Sequence, residues 1–368
     1  MRHLTGPSGP VVETTDGLKI NFCSNDYLGL ASHPAISRAL TEGASRWGTG
    51  AGASRLVSGN LAPHVRLERA VAEWMGVERS VLFVSGYQAN VGALSTLAGE
   101  GDAIFSDQLV HASLIDGARL SRADVHIFRH GDMAHLDQLL SAHTAYGIRL
   151  VVSDAVFSMD GDAADLAGLT DLARKHDAHL YLDEAHALGV RGPGGRGLAA
   201  EQSLATDVSV RIGTFSKAFG VSGAFLALPE SAERLVVSRA RSLLYTTAPP
   251  PCLAEAVLAS LELMVQGDKL RARLRENVAQ FREGATSAGL PVLDSVTPIQ
   301  PVMTGSAERT MRVSQALWED GFFVQGIRPP TVPRGESRLR VTLTAGHEPK
   351  QISNLVAALS RSLDSIKE

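Results

Sequence analysis

AHLYLDEAH, residues 178–186, decides the fold. Its apolar run HLYL stops at Asp183, where a short strand meets a loop. The segment before it, LTDLARKHD (169–177), has helical spacing, so the two make one helix-to-strand step. Outward from that step the same alternation continues. SVLFVS (80–85), DAIFSD (102–107), ADVHIF (123–128) and IRLVVSDAVF (148–157) precede it, and VSVRIGTFS (208–216) and GAFLALP (223–229) follow. Amphipathic segments separate the first five runs. The pattern predicts βα units building a mostly parallel sheet, an α/β domain.

Past the last run, the prolines of YTTAPPPC (245–252) mark a break before a long helical stretch, 252–289, rich in Ala, Leu, Glu and Arg. This stretch is expected to bridge two domains. QPVMTG (300–305), a helix over 307–320, FFVQGI (322–327), SRLRVTL (337–343) and a final helix over 349–365 form a compact α+β pattern. The expected organisation is a short amino-terminal segment (1–28), a large domain (29–264) and a smaller carboxy-terminal domain (265–368). There is no internal repeat and no low-complexity segment.

Composition narrows the class of partner. The 368 residues are 44% hydrophobic and 20% charged, with a formal net charge of −4, so no basic footprint for nucleic acid exists and a small molecule is the expected ligand. The two cysteines, Cys23 and Cys252, make no disulfide framework and have no metal-ligand spacing, which fits a reducing cytoplasm. No apolar run approaches the roughly 20 residues of a membrane span. The start, MRHLTGPSGP, lacks the apolar core of an export signal.

Two motif matches fail on context. GTGAGA (48–53) fits a dinucleotide fingerprint, but it follows the helix-like RALTEGASRW (38–47) where that motif needs a strand. DEAH (183–186) spells a helicase box, yet no lysine in the chain follows a glycine, so the phosphate loop of a helicase is absent.

Ligands of mostly parallel sheets bind beyond the carboxyl ends of the strands. Asp183 ends one such run, and VRIGTFSK (210–217) presents Lys217 at the next, among Gly213, Gly220 and Gly223. Each residue alone has an ordinary reading, as a strand-end cap or a solvated loop lysine. Together they suit one chemistry: an amine that forms an imine with an aldehyde cofactor, and a carboxylate that keeps a pyridine nitrogen protonated so that the ring accepts electrons. SGYQAN (85–90) follows a strand and opens a helix, whose first N–H groups suit a phosphate, with Tyr87 beside the ring. His111, just past another strand, is placed to stack on a flat ring.

These residues belong to blocks that resemble the α-oxoamine synthases, a family of fold type I enzymes dependent on pyridoxal 5′-phosphate (PLP). The blocks are NFCSNDYLGL (21–30), GTGAGASRLVSGN (48–60), VSGYQAN (84–90), VHASL (110–114), VFSMDGD (156–162), LDEAH (182–186), TFSKAFG (214–220) and RLRVTLTAGHE (338–348). They span nearly the whole chain. The resemblance implies the PLP-dependent transferase fold type I, with Lys217 as the imine-forming lysine, Asp183 on the pyridine nitrogen and His111 on the ring face. It implies that Ser158 and His186 bond the phenolic oxygen of PLP. Gly86, Tyr87, Thr214 and, from a neighbouring subunit of a homodimer, Thr247 would serve the phosphate. Asn25 and Arg340 would hold an amino-acid carboxylate, and Arg2 matches a further substrate-binding arginine, here on an amino-terminal segment shorter than in relatives. No metal is implied.

IQPVMTG (299–305) and IRPPTVP (327–333) resemble the branch of the family that joins L-alanine to a pimeloyl thioester, carried by coenzyme A or by acyl carrier protein, in biotin synthesis. A sibling that condenses glycine with acetyl-CoA or succinyl-CoA is the alternative. A PLP-binding regulator is the other, and it would need an added domain or a lost lysine. Asp154 stands where the family often has Glu, and Ala187 or Leu188 where it often has a small or hydroxyl residue.

Overall fold

The computed structural model describes residues 2–144 and 146–367. The chain divides into two compact units: Pro34–Phe157 with Ala164–Gln266, and the residues up to His33 with Ser158–Ala163 and those from Gly267 onward.

The larger unit is built on a seven-stranded sheet in the order Arg79–Phe83, Ala224–Leu228, Val210–Thr214, His179–Asp183, Arg149–Asp154, Ala103–Asp107 and Asp124–Phe128. The last five are mutually parallel, and Ala224–Leu228 runs antiparallel to both its neighbours. The seven expected runs therefore all form strands of a mostly parallel sheet. Ala103–Asp107, Val210–Thr214 and Ala224–Leu228 are buried along their whole length, as strands covered on both faces must be. Beneath them Val81, Phe83, Val152, Tyr181, Ile212 and Leu226 pack with Ala89, Ala93 and Leu94 of the helix Gly86–Leu97. Small residues on that helix let its axis approach the sheet closely. The expected helix before GTGAGA is present as Pro34–Trp47, so those glycines follow a helix and are no dinucleotide turn.

The smaller unit holds two three-stranded sheets. In one, Val11–Thr14 pairs with Gly17–Asn21, which pairs in parallel with Phe322–Phe323. In the other, Ile299–Gly305 and Gln325–Ile327 flank Ser337–Thr342. The residues before His33 are thus laced into the carboxy-terminal part, where the sequence reading sets 1–28 apart. FFVQGI does not form one strand: it divides at Val324, its halves pairing in different sheets.

The expected single helix over 252–289 is two, Pro251–Val265 and Asp268–Ser287. The Gln266 N–H caps the first by bonding Glu262 O, and Gly267, a poor helix former, interrupts the run. Asp268 then opens the second helix with negative charge in its first turn. The division between the units falls at this break. Among the described residues no helix is long and apolar enough to cross a membrane.

Candidate active site

The sheet reverses its winding between Ala103–Asp107 and Arg149–Asp154. The connection after the first of these strands leads to the edge strand Asp124–Phe128, whereas the connection after the second leads to His179–Asp183 on the other side. A crevice outside such a switch point is the usual ligand site of this architecture. Asp154 and Asp183 are register partners at the carboxyl ends of neighbouring parallel strands, and both are buried. The backbone N–H of His111, which follows the strand Ala103–Asp107, donates to Asp154 Oδ2 (2.8 Å), and His111 caps the helix Ala112–Ser121. Hence the strand-end acid Asp154 fixes where His111 sits.

Lys217 lies three residues beyond the strand Val210–Thr214 in a turn closed by Gly220 N–H to Lys217 O (2.8 Å) and Val221 N–H to Phe215 O (2.9 Å). Gly213, on that strand, is required by packing, because a Cβ there would run into Leu188 Cδ1 and the Phe225 ring. Lys217 and Asp183 both act electrostatically on His111. The imidazole is held below its ordinary pKa, first by desolvation and then by the lysine charge, with the Asp183 charge opposing.

The carboxylate of Asp183 is gripped on both oxygens. Oδ1 accepts the Ala185 N–H (2.9 Å), and Oδ2 accepts Asn90 Nδ2 (2.8 Å). Asp154, by contrast, is pushed well up from the ordinary carboxylate range, first by burial and then by the charge of Asp183 beside it. Two adjacent buried acids cannot both ionise cheaply, and Asp154 carries fewer donors than its neighbour.

A helix N-terminus lies beside the end of the strand Val210–Thr214. Ser85 caps the helix Gly86–Leu97 through its side chain to Gln88 N–H, and the first intrahelical bond is Ala89 N–H to Ser85 O. The N–H groups of Gly86 and Tyr87 precede that bond, in the position where helices bind anions. Gly86 lies against Thr214: a Cβ on it would stand 3.8 Å from Thr214 Cβ. The Thr214 hydroxyl bonds Ser216 Oγ (2.7 Å) and Gly223 O (3.0 Å). The Tyr87 ring is about half exposed, and its hydroxyl donates to Asp116 Oδ2 (2.7 Å). His186 is buried in the turn after Asp183, and Thr247 is exposed.

In the smaller unit, Arg340 is buried on the strand Ser337–Thr342. Its guanidinium reaches Asn25 Oδ1 from both Nη1 and Nη2 (3.2 Å each), Thr342 Oγ1 (2.9 Å) and, through Nε, the backbone oxygen of Ser158 (2.6 Å). The expected pair of Asn25 and Arg340 is therefore brought together, and Ser158 joins it through its carbonyl. These partners are neutral oxygens, which leaves the arginine charge to attract an anion. Burial pushes the Tyr27 phenol, which donates to Asn25 Oδ1 (3.3 Å), up to about 12. Arg2 packs its guanidinium 3.9 Å from the centre of the Trp318 ring and bonds Gln315 Oε1 (3.3 Å).

A family model described as aminotransferase class I and II matches residues 18–359. This chain belongs to that family. It is 49% identical over 360 residues to an 8-amino-7-oxononanoate synthase of Aromatoleum aromaticum, a match covering 98% of this chain and 93% of the relative. Among solved structures it resembles a serine palmitoyltransferase from S. paucimobilis with a bound PLP–myriocin aldimine, at 29% identity and a TM-score of 0.96, over 100% of this chain and 93% of that one. It also resembles the 8-amino-7-oxononanoate synthase of Francisella tularensis, at 28% identity and a TM-score of 0.82, over 94% and 98%. The expected α-oxoamine synthase resemblance and fold type I architecture are borne out. Beyond the expected site residues, the structure adds Asn90, Ser113, Tyr181 and Asp154 around Asp183 and His111. Asn90 and Ser113 stood inside the matching blocks VSGYQAN and VHASL, which was the signal available.

Proposed function

We propose that this chain makes 8-amino-7-oxononanoate for biotin synthesis by joining L-alanine to a pimeloyl thioester, with loss of carbon dioxide and release of the carrier thiol. The observation that carries the reading is the grouping of Lys217, Asp183 and His111 at neighbouring strand ends in a chain 49% identical to a synthase of that name. The donor set fits PLP: a helix N-terminus for the phosphate, a donor-gripped carboxylate for the ring nitrogen, an imidazole for the ring face and a lysine for the aldehyde.

Lys217 would hold the cofactor covalently, and Asp183 would bond its ring nitrogen. Ser158 and His186 would serve its phenolic oxygen, while Gly86, Tyr87, Thr214 and the Thr247 of a second subunit would serve its phosphate. When bound, PLP supplies an electron-accepting ring that stabilises negative charge at the amino-acid Cα. Arg340 and Asn25 bind the alanine carboxylate, orienting the Cα–H bond. The free Lys217 amine would remove the Cα proton of alanine as general base and later return a proton to that carbon. His111, kept neutral by its surroundings, does not compete for the charge of Asp183. Arg2 is assigned to a second carboxylate of the substrate. The homodimer supplies the partner's threonine.

The test pairs chemistry with site. Borohydride reduction of the yellow protein should fix the cofactor on Lys217, read by mass spectrometry of the peptide. Steady-state assays should show turnover with alanine and a pimeloyl thioester and none with glycine and acetyl-CoA or succinyl-CoA. An adduct on another lysine, or the reverse substrate preference, overturns the proposal. Comparing the coenzyme A and carrier-protein thioesters identifies the donor.

A further inference from the structure

Behind the ring-facing groups lies a buried chain of hydrogen bonds that the reaction chemistry does not require. Asn90, one turn into the helix Gly86–Leu97, is 1% exposed; Ser113 and Tyr181 are 0% exposed. Asn90 Nδ2 donates to Asp183 Oδ2 (2.8 Å) and to Ser113 Oγ (2.8 Å), while its Oδ1 accepts the Tyr181 hydroxyl (2.7 Å). The reversed amide would set its oxygen against a carboxylate oxygen, so the orientation of Asn90 follows from its partners. Burial, with the nearby Asp183 carboxyl adding to it, pushes the Tyr181 phenol well up, which keeps it a neutral donor.

The chain has a direction. Ser113 Oγ lies 2.7 Å from His111 Nδ1, and the Ser113 backbone N–H also donates to that nitrogen (3.2 Å). Nδ1 is therefore an acceptor, the serine proton points to it, and the imidazole proton is on Nε2. Every proton from Tyr181 to His111 is thereby placed, and Tyr181, Asn90 and Ser113 are buried away from competing water, with only the His111 end of the chain exposed.

We propose that Asn90 is a positioning residue that ties the Asp183 carboxylate to the His111 imidazole through Ser113, so that one buried network sets both groups that address the cofactor ring. This rests on the reading of Asp183 and His111 as the ring-binding pair. A network of this kind holds its members to one geometry because each broken link leaves a buried polar group unpaired. The charged and titratable groups around His111 are Asp183, Lys217 and Asp154, the last through its bond to the His111 backbone N–H.

The experiment uses the full-length holoenzyme labelled with ¹⁵N-histidine. Long-range NMR reads which ring nitrogen of His111 carries the proton, with His111→Gln identifying the signal. The wild type should show the proton on Nε2. Ser113→Ala should raise the fraction with the proton on Nδ1, because only the longer backbone N–H contact of residue 113 (3.2 Å) then still holds that nitrogen as an acceptor, and Asn90→Ala should raise it too. Asn90→Ala should also lower kcat at least about tenfold while the amino-acid KM stays within about threefold, the pattern of lost transition-state alignment. Tyr181→Phe should move both readouts in the same direction and less far. An unchanged tautomer in Ser113→Ala, or full kcat in a folded Asn90→Ala protein, overturns the proposal. If Asn90→Ala does not fold, the Ser113→Ala tautomer decides. Because the tautomer is read without turnover, a protein that shows the shift but does not make the expected product keeps the network and loses the assigned reaction.

Discussion

Replacing His347 with glutamine should flatten the acid limb of the stability curve of the unit that carries Arg340. His347 is buried and stacked on Phe22 with ring centres 4.2 Å apart. Its Nδ1 accepts the Thr344 N–H (3.0 Å), so Nε2 donates to Asn21 O (3.0 Å). Burial lowers its pKa from 6.5 to about 4. In the unfolded chain the same group protonates near 6.5, so between these values the unfolded state binds more protons and stability falls as pH falls. The difference of about 2.5 units, at 1.36 kcal/mol each, makes about 3 kcal/mol lost between pH 6.5 and 4, and nothing further below 4. Neighbouring bonds hold Asn25 in register with the strand of Arg340, since Thr342 N–H bonds Phe22 O (2.8 Å) and Ala345 N–H bonds Tyr27 O (2.8 Å) on either side of Asn25. The assay is urea unfolding at stepped pH, followed by Trp318 fluorescence in a Trp47→Phe, Trp74→Phe background. His347→Gln should be less stable than its parent at pH 7.5, through the lost ring stacking, yet lose about 3 kcal/mol less on acidification to pH 4. Parallel curves for the two proteins would show that His347 protonates alike in the folded and unfolded states.

Three further outcomes are expected. Asp183→Asn should retain the cofactor but lose at least about a hundredfold in turnover, roughly 2.7 kcal/mol of transition-state stabilisation, because the uncharged amide cannot hold the ring nitrogen protonated; single-turnover kinetics check this. Arg340→Lys should raise the alanine KM at least about tenfold with an unaltered cofactor absorbance, since an ammonium cannot reproduce the forked contact, and an unchanged KM removes Arg340 from the carboxylate site. Burial pushes the Cys23 thiol up to about 12, so only about one molecule in ten thousand is thiolate at pH 8; iodoacetamide should label it in denatured protein and leave it intact in the native fold, as intact mass will show.

The strand ends were legible because apolar runs that stop at a charged residue mark where a buried strand meets a loop. Asp183 and Lys217 could be placed on that ground alone, and the family blocks supplied Asn25 with Arg340. Gln266 and Gly267 were not legible as a boundary, because a single glycine in a run of helix formers costs only about 1 kcal/mol and signals a break weakly. Val324 was no clearer: FFVQGI has the composition of one strand, and only its pairing partners split it. Asn90, Ser113 and Tyr181 were hidden for a different reason. No local pattern marks them, and their contacts exist only where helix, loop and strand meet at one point.

The acids at the strand ends carry this argument furthest. Asp107, Asp154 and Asp183 end three adjacent parallel strands, each at the close of an apolar run. Their partners differ. Asp107 accepts the Leu109 and Gly131 N–H groups and faces His130 Nδ1 (3.0 Å), which ties down the loops after two strands. Asp154 anchors the His111 backbone and is pushed toward its neutral form by burial and by its neighbour. Asp183 takes donors on both oxygens, one of them from a side chain itself held by a buried tyrosine. Three chemically identical carboxyl groups, at the ends of parallel strands in one sheet, thus meet three different sets of donors. The pattern of donors, set by tertiary packing, assigns the chemistry that the aspartate spacing alone leaves open.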